Sequence, residues 1–214
     1  ILDMKYKSGV GALPIPVVHG LTMGEIAKMA VGEGWCKACD VEVVRCKNYT
    51  HQTRYSLPIA PSPNLRSMQA IYLYPSVCLF EGTICSLGRG TDYPFEVYGH
   101  PDIKGATFSF TPHSVAGAKY PPLLDKKCYG VDLRQVPHEE IIARGLKLEY
   151  IIDAYKRLGL GEAFFTPFFE KLVGVDYIRK MIIEGRTAED IRAVWQNDLE
   201  HYRALRRKYL LYAE

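Results

Sequence analysis

One stretch of this sequence gathers groups able to do chemistry: Phe80-Glu81-Gly82-Thr83-Ile84-Cys85-Ser86-Leu87-Gly88-Arg89-Gly90-Thr91-Asp92-Tyr93-Pro94-Phe95-Glu96. It holds three glycines, two glutamates, one aspartate and one arginine. Glycine permits positive φ and lets backbone approach a ligand. An arginine set between glycines is poorly supported as a core residue, yet well placed to present a planar fork to a carboxylate. Paired carboxyl groups suit glycoside hydrolysis, in which one acid protonates the leaving oxygen and a second group acts as base or nucleophile. Glu81 and Glu96 are the candidates here, and sequence does not supply their separation. The competing reading is a tight turn in which Arg89 pairs with Glu81 or Glu96 only to hold the loop.

Two further segments offer polar groups. His19 follows a proline-rich stretch and precedes a helix, where a histidine can carry a proton, donate to a substrate, or simply bond loop backbone. Pro61-Ser62-Pro63-Asn64 is a stiff turn whose Ser62 and Asn64 could face a sugar, although capping the next helix also explains Asn64. Other chemistries lack their motifs. GxxxxGK[ST] and GxGxxG are absent, as is a GxSxG elbow. Cys36-Lys37-Ala38-Cys39 has no second CxxC or CxxH to complete a zinc site, so small, partly buried thiols are the simpler reading. No metal and no cofactor is expected.

The elements that must position these groups follow from local signals. Thr22 and Glu25 form a capping box opening a short helix that Gly32 and Gly34 end. Val41 to Cys46 reads as a strand from its β-branched content. Asn64 is expected to cap a helix from Leu65 to Tyr74 that stops before Pro75. Strands are expected at Phe95–Tyr98, Thr107–Phe110 and Cys128–Leu133, and Ile1 to Lys5 also reads as strand-like. The last third is helical: one helix opens at Pro137, another spans Phe168 to Glu184, and Thr187 caps a long final one. The fold class expected is α/β to α+β, a mixed sheet with a helical C-terminal third.

The 214 residues, 48% hydrophobic and 24% charged, suit one large domain or two small ones. A net charge of +3 does not point to nucleic acid. The one basic cluster, Arg203, Arg206, Arg207 and Lys208, suits the negative end of a helix dipole. No apolar run reaches the roughly 18 residues of a membrane span. Six cysteines are too sparse for a disulfide-stapled scaffold. The chain opens without Met and without a signal-peptide pattern, so residues preceding Ile1 are expected to have been removed or never included.

Motifs in a fixed order resemble the exo-β-N-acetylmuramidase family of peptidoglycan-recycling glycoside hydrolases, long catalogued as a domain of unknown function. Ile15-Pro16-Val17-Val18-His19-Gly20-Leu21-Thr22-Met23-Gly24-Glu25-Ile26-Ala27 resembles its IPVxHGMTxGELA segment, and Pro61-Ser62-Pro63-Asn64-Leu65 its PSPNMP turn. Tyr74-Pro75 through Glu96 resembles YPGxCLLEGTNxSxGRGTxxPFE. Asp3 matches the Asp of LDRPNP, while Phe169–Gly174 and Arg206–Tyr212 resemble FDxLxG and RxxYLLY.

The resemblance implies a Rossmann-like N-terminal domain, a smaller C-terminal domain, and a pocket between them for a terminal N-acetylmuramic acid. Glu81, His19 and Glu96 become catalytic candidates, and Arg89 the partner of the sugar's lactyl carboxylate. Ser62, Asn64, Thr83 and Thr91 become substrate contacts. A periplasmic or extracellular location and a peptidoglycan-derived sugar as partner follow from the same resemblance.

Two departures stand out. LDRPNP reads Leu2-Asp3-Met4-Lys5-Tyr6-Lys7 here, and the Asn after EGT is Ile84. The family's upstream half, with its Glu-His-Gly motif, is also not in this sequence. Residues 1 to about 35 are therefore expected to end an N-terminal domain completed by a missing piece, with 36–214 as the C-terminal domain. The chain is expected to carry part of the active site rather than all of it. The alternatives are a non-catalytic module binding cell-wall sugars and a scaffold whose helical third docks a partner.

Overall fold

A computed structural model describes all residues, Ile1–Glu214. The chain forms eight α-helices and one small sheet: α1 (Met23–Gly32), α2 (Met68–Val77), α3 (His138–Arg144), α4 (Glu149–Leu158), α5 (Phe169–Val173), α6 (Tyr177–Ile183), α7 (Ala188–Val194) and α8 (Gln196–Arg207). The strands are β1 (Val97–His100), β2 (Phe108–Phe110) and β3 (Cys128–Asp132), ordered β1-β3-β2. Both pairings are antiparallel, so the expected mixed sheet is corrected to a purely antiparallel one. β3 lies between the other two and pairs with both, after the long loop that follows β2. The α+β character and the helical C-terminal third stand as expected.

Gly130 sits at the centre of the sheet because nothing larger fits: a Cβ there would lie 1.9 Å from the Tyr98 carbonyl oxygen. The obstacle is backbone, which cannot rotate away. Gly130→Ala is expected to lower stability by about 3 kcal/mol, read as an earlier midpoint in thermal or urea unfolding.

The main core joins α2, α4, α5, α6 and α7 through Leu73, Val77, Phe80, Leu148, Ile151, Phe164, Phe169, Ile182 and Ile191, each at most 1% exposed. Pro75 does not end α2, contrary to expectation. The helix continues to Val77 and runs into a 3-10 turn, Cys78–Gly82. Burial of Leu73 and Val77 outweighs the hydrogen bond a proline cannot donate. The cap is Ser67, whose hydroxyl accepts from Ala70 N at 3.0 Å, so Asn64 is not the cap.

Other expectations need revision. Val41–Cys46 forms no strand, because no neighbouring strand pairs with it. The opening residues form a 3-10 turn, Met4–Tyr6, capped by Asp3. The helix expected from Phe168 to Glu184 is two helices broken at Gly174, whose φ is 75°. The final one divides into α7 and α8 at Trp195, and the one opening at Pro137 divides at Gly145.

The two ends of the chain are clasped together. Glu25 on α1 is fully buried. Its carboxylate accepts from Thr22 N at 2.7 Å, Thr22 Oγ1 at 2.9 Å, His51 Nε2 at 3.0 Å and Leu211 N at 2.7 Å. Around it, Arg45 donates to the Leu211 carbonyl, Cys46 N to the Tyr212 hydroxyl and His51 N to the Ala213 carbonyl. Burial alone would raise the Glu25 pKa. The hydrogen bonds from Leu211, Thr22 and His51 overcome it and hold the pKa at about 2.

Candidate active site

Glu81 stands on the 3-10 turn that prolongs α2, and the segment 164–166 fixes that turn from below. Thr166 N donates to the Gly82 carbonyl at 2.9 Å and Ile84 N to the Phe164 carbonyl at 3.1 Å. Gly82 lies against Phe169, where a Cβ would come within 2.6 Å of the Phe169 Cα. Glu81 therefore projects from a backbone with no slack.

Arg89 is delivered by a turn that locks itself. Gly88 and Gly90 have φ of 83° and 85°, in the region where side chains are strained. Thr91 N and Thr91 Oγ1 both donate to the Gly88 carbonyl, and Phe95 N donates to the Leu87 carbonyl at 2.8 Å. Phe95 itself is buried with φ of 64°, an uncommon conformation for a bulky residue and one that persists only where packing over-determines it. The guanidinium lies 5.0 Å from the centre of the Phe95 ring.

Arg89 and Glu81 meet. Nε and Nη2 both donate to the single oxygen Oε1, the Nε bond at 3.0 Å. Oε2 makes no hydrogen bond within the protein. The side chains are 31% and 24% exposed, so the pair is sheltered but reachable. Tyr74 completes the group, its ring 5.1 Å from that of Phe95. Burial, the Cys78 thiol and Glu81 raise the Tyr74 pKa, while Arg89 opposes them. A planar fork, a carboxylate with one free oxygen and a phenol thus converge on one spot able to hold an anionic, hydroxylated ligand.

The remaining candidates are placed differently. The Glu96 carboxylate accepts from the Ser67 hydroxyl, tying the turn to the cap of α2. No hydrogen bond joins it to Glu81 or Arg89. Thr83 Oγ1 donates to the Phe80 carbonyl and accepts from Cys85 N; Thr91 Oγ1 accepts from Tyr93 N besides its bond to Gly88. Both hydroxyls serve the turns they stand in. Ser62 Oγ accepts from Asn64 N, and Asn64 Nδ2 reaches the Gly117 carbonyl at 3.1 Å. Arg66 Nη2 donates to the Thr91 carbonyl at 3.2 Å, so the Pro61–Asn64 turn does lie beside the Arg89 turn.

His19 belongs to the clasped ends. Its Nδ1 accepts from Leu21 N at 3.1 Å, and its carbonyl accepts from the Tyr202 hydroxyl. Burial and the nearby Arg206 charge lower its pKa, keeping it neutral at neutral pH. Nε2 is then its donor. No hydrogen bond or ion pair links it to the Glu81–Glu96 block.

Comparison with known proteins identifies the assembly of motifs. The C-terminal family of the exo-β-N-acetylmuramidase NamZ matches residues 72–212, and the corresponding N-terminal family matches residues 1–69. This chain belongs to the NamZ exo-β-N-acetylmuramidase family. The peptidoglycan β-N-acetylmuramidase NamZ of Bacillus subtilis (strain 168) is 34% identical over 230 residues, covering 99% of this chain and 55% of that protein. The chain thus spans about half the length of that curated NamZ relative.

A crystal structure of a DUF1343 family protein from Bacteroides fragilis is similar over the whole chain, with a TM-score of 0.98 and 59% identity, covering 62% of that chain. A second such protein from the same organism shares the fold, with a TM-score of 0.73 and 21% identity over 99% of this chain and 61% of that one. The two NamZ matches meet at residues 69–72.

Tyr74 was not among the residues expected to act, although its signal was present. It stands seven positions before Glu81, two helical turns away, on what becomes one face once the helix is allowed past Pro75. No helix of the chain is long and apolar enough to cross a membrane. All six cysteines are free; Cys36, Cys39 and Cys46 are exposed, and burial pushes the Cys78 and Cys85 thiols up to about 12.

Proposed function

We propose that this chain forms part of a glycoside hydrolase releasing terminal N-acetylmuramic acid from peptidoglycan fragments. The observation that carries the reading is the sheltered Arg89–Glu81 pair, built on a rigid turn in a chain of this family. Arg89 takes the lactyl carboxylate that distinguishes this sugar from other N-acetylhexosamines. Glu81 orients the guanidinium through Oε1 and acts on the substrate from Oε2, as acid, base or hydrogen-bond acceptor. Tyr74 is placed to donate to the same sugar. Ser62, Asn64, Thr83 and Thr91 shape the turns around it, and Glu96 and His19 support the site from further out.

Residues 1 to about 35 finish a Rossmann-like N-terminal domain whose upstream part supplies the other catalytic group, and the pocket lies where that domain meets the rest. The substrate class places the working enzyme in the periplasm or outside the cell. One observation favours a second reading, a non-catalytic module that binds cell-wall sugars: the Glu96 carboxylate is committed to Ser67 and does not stand as the acidic partner of Glu81. Release of a chromophore from a β-linked N-acetylmuramic acid glycoside separates the two. Turnover is expected when the chain is joined to or mixed with its upstream half. Saturable sugar binding without turnover, with the upstream half present, selects the binding module instead.

A further inference from the structure

The loop Thr111–Lys126 is fastened to both motif turns of the site. His113 N donates to the Gly90 carbonyl at 2.8 Å, and Asn64 Nδ2 donates to the Gly117 carbonyl. Gly90 lies directly under His113: a Cβ there would come within 2.5 Å of the His113 carbonyl oxygen. The loop is therefore a wall beside Arg89, one residue from it across a backbone contact.

On this wall, His113 Nδ1 lies 2.8 Å from Asp125 Oδ1, while Nε2 has no partner in the protein. The side chains are 63% and 69% exposed. A hydrogen bond so open to water adds little stability. Nor is it needed to close the loop, because Asp125 N already donates to the Pro112 carbonyl at 2.8 Å, and Val115 and Ala118 exchange backbone bonds. Leu123 and Asp125 both have left-handed backbone, with φ of 59° and 58°. For leucine that conformation is unfavourable by roughly 1–2 kcal/mol. A strained loop that fixes a histidine with one nitrogen oriented and the other free is built for contact rather than for stability. Tyr120, on the same loop, is 89% exposed, an open aromatic face of the kind that receives a pyranose ring.

We propose that the Thr111–Lys126 loop is a second saccharide-contacting element, accepting the neutral N-acetylhexosamine next to the sugar held by Arg89. Asp125 accepts from His113 Nδ1, so His113 accepts at Nε2 from a hydroxyl or amide N–H of that second ring; Tyr120 lies against its face, and Asp125 is a positioning residue acting through His113. The identity of the first sugar rests on the glycosidase reading above; the loop's role as a sugar contact rests on its own geometry.

The test uses the full-length protein and two substrates: the methyl β-glycoside of N-acetylmuramic acid, with one ring, and the disaccharide in which that sugar is β-linked to N-acetylglucosamine. His113→Ala and Tyr120→Ala remove exposed side chains while keeping the backbone contacts. Each is expected to raise KM for the disaccharide about tenfold and to leave the one-ring substrate within about twofold. Asp125→Ala should behave like His113→Ala, whereas Asp125→Asn, which keeps an acceptor and tolerates left-handed backbone, should restore the parent KM. Equal effects on both substrates, or none on either, overturn the proposal. Should the parent protein hydrolyse neither substrate, the glycosidase reading fails, and calorimetric binding of the disaccharide then decides the loop alone. Saturable binding lost in His113→Ala and Tyr120→Ala sustains it, and absent or unaltered binding overturns it.

Discussion

Arg89→Lys is expected to lower kcat/KM on an N-acetylmuramic acid glycoside by roughly thirtyfold, about 2 kcal/mol, mostly through KM. Lysine keeps the charge but not the fork. It cannot reach Glu81 Oε1 through two nitrogens, lie flat against the Phe95 ring and still offer an edge to a carboxylate. The matching N-acetylglucosamine glycoside, which has no lactyl group, provides the internal comparison. If Arg89 reads the carboxylate, the parent should prefer the muramic acid sugar, and the variant should lose most of that preference. A variant that slows both sugars alike would show that Arg89 only holds the turn, and the assignment of substrate would fall with it. Glu81→Gln separates the roles further. It should weaken the grip on Arg89 and remove a titrating group, lowering kcat more than it changes KM.

The second large effect concerns stability. Glu25→Ala is expected to destabilise the fold by about 3–5 kcal/mol, because it strips the buried partner from two backbone N–H groups, one hydroxyl and His51. Its pH dependence follows from the shift. The folded pKa of about 2 lies below the ordinary 4.5, so the folded state binds the proton less tightly than the unfolded chain. The stability this group contributes, about 3 kcal/mol, is complete above pH 4.5 and is lost as pH falls from there through 2. Urea midpoints measured from pH 6 to pH 3 should decline steeply for the parent. The Glu25→Gln variant should start lower and decline less; parallel curves would mean that other carboxylates carry the acid sensitivity.

Much of the local structure was legible because its signals are local. The capping boxes at Thr22–Glu25 and Thr187–Asp190 form as the residue types require. The three strands of the sheet fall within two residues of where β-rich runs bounded by turns place them. The misses have one cause in common, which is that a neighbour decides. Val41–Cys46 has strand-forming residues and no strand to pair with. Pro75 should stop a helix, yet the core under Leu73 and Val77 carries it onward. That one error also concealed Tyr74, which joins Glu81 only if the helix continues. Within the site, the glycine-flanked arginine was visible as a run of letters, while its choice of Glu81 over Glu96 was not. The Ser67 hydroxyl that occupies Glu96 comes from 29 residues away, and no spacing rule reaches that far. His113 and Asp125 were invisible for the same reason, being twelve residues apart on a loop without a pattern.

The clasp around Glu25 also sets an order of events. Leu211, Tyr212 and Ala213 close over a carboxylate that was synthesised at the start of this segment. Until residues 211–213 have left the ribosome, Glu25 lacks one of its donors and residues 19–51 lack their cover. Residues 19–51 and 211–213 must therefore mature together, however early the first of them is made. Loss of residues 211–213 would leave both members of the Glu81–Arg89 pair in place, yet deprive the region that holds His19 of its seal.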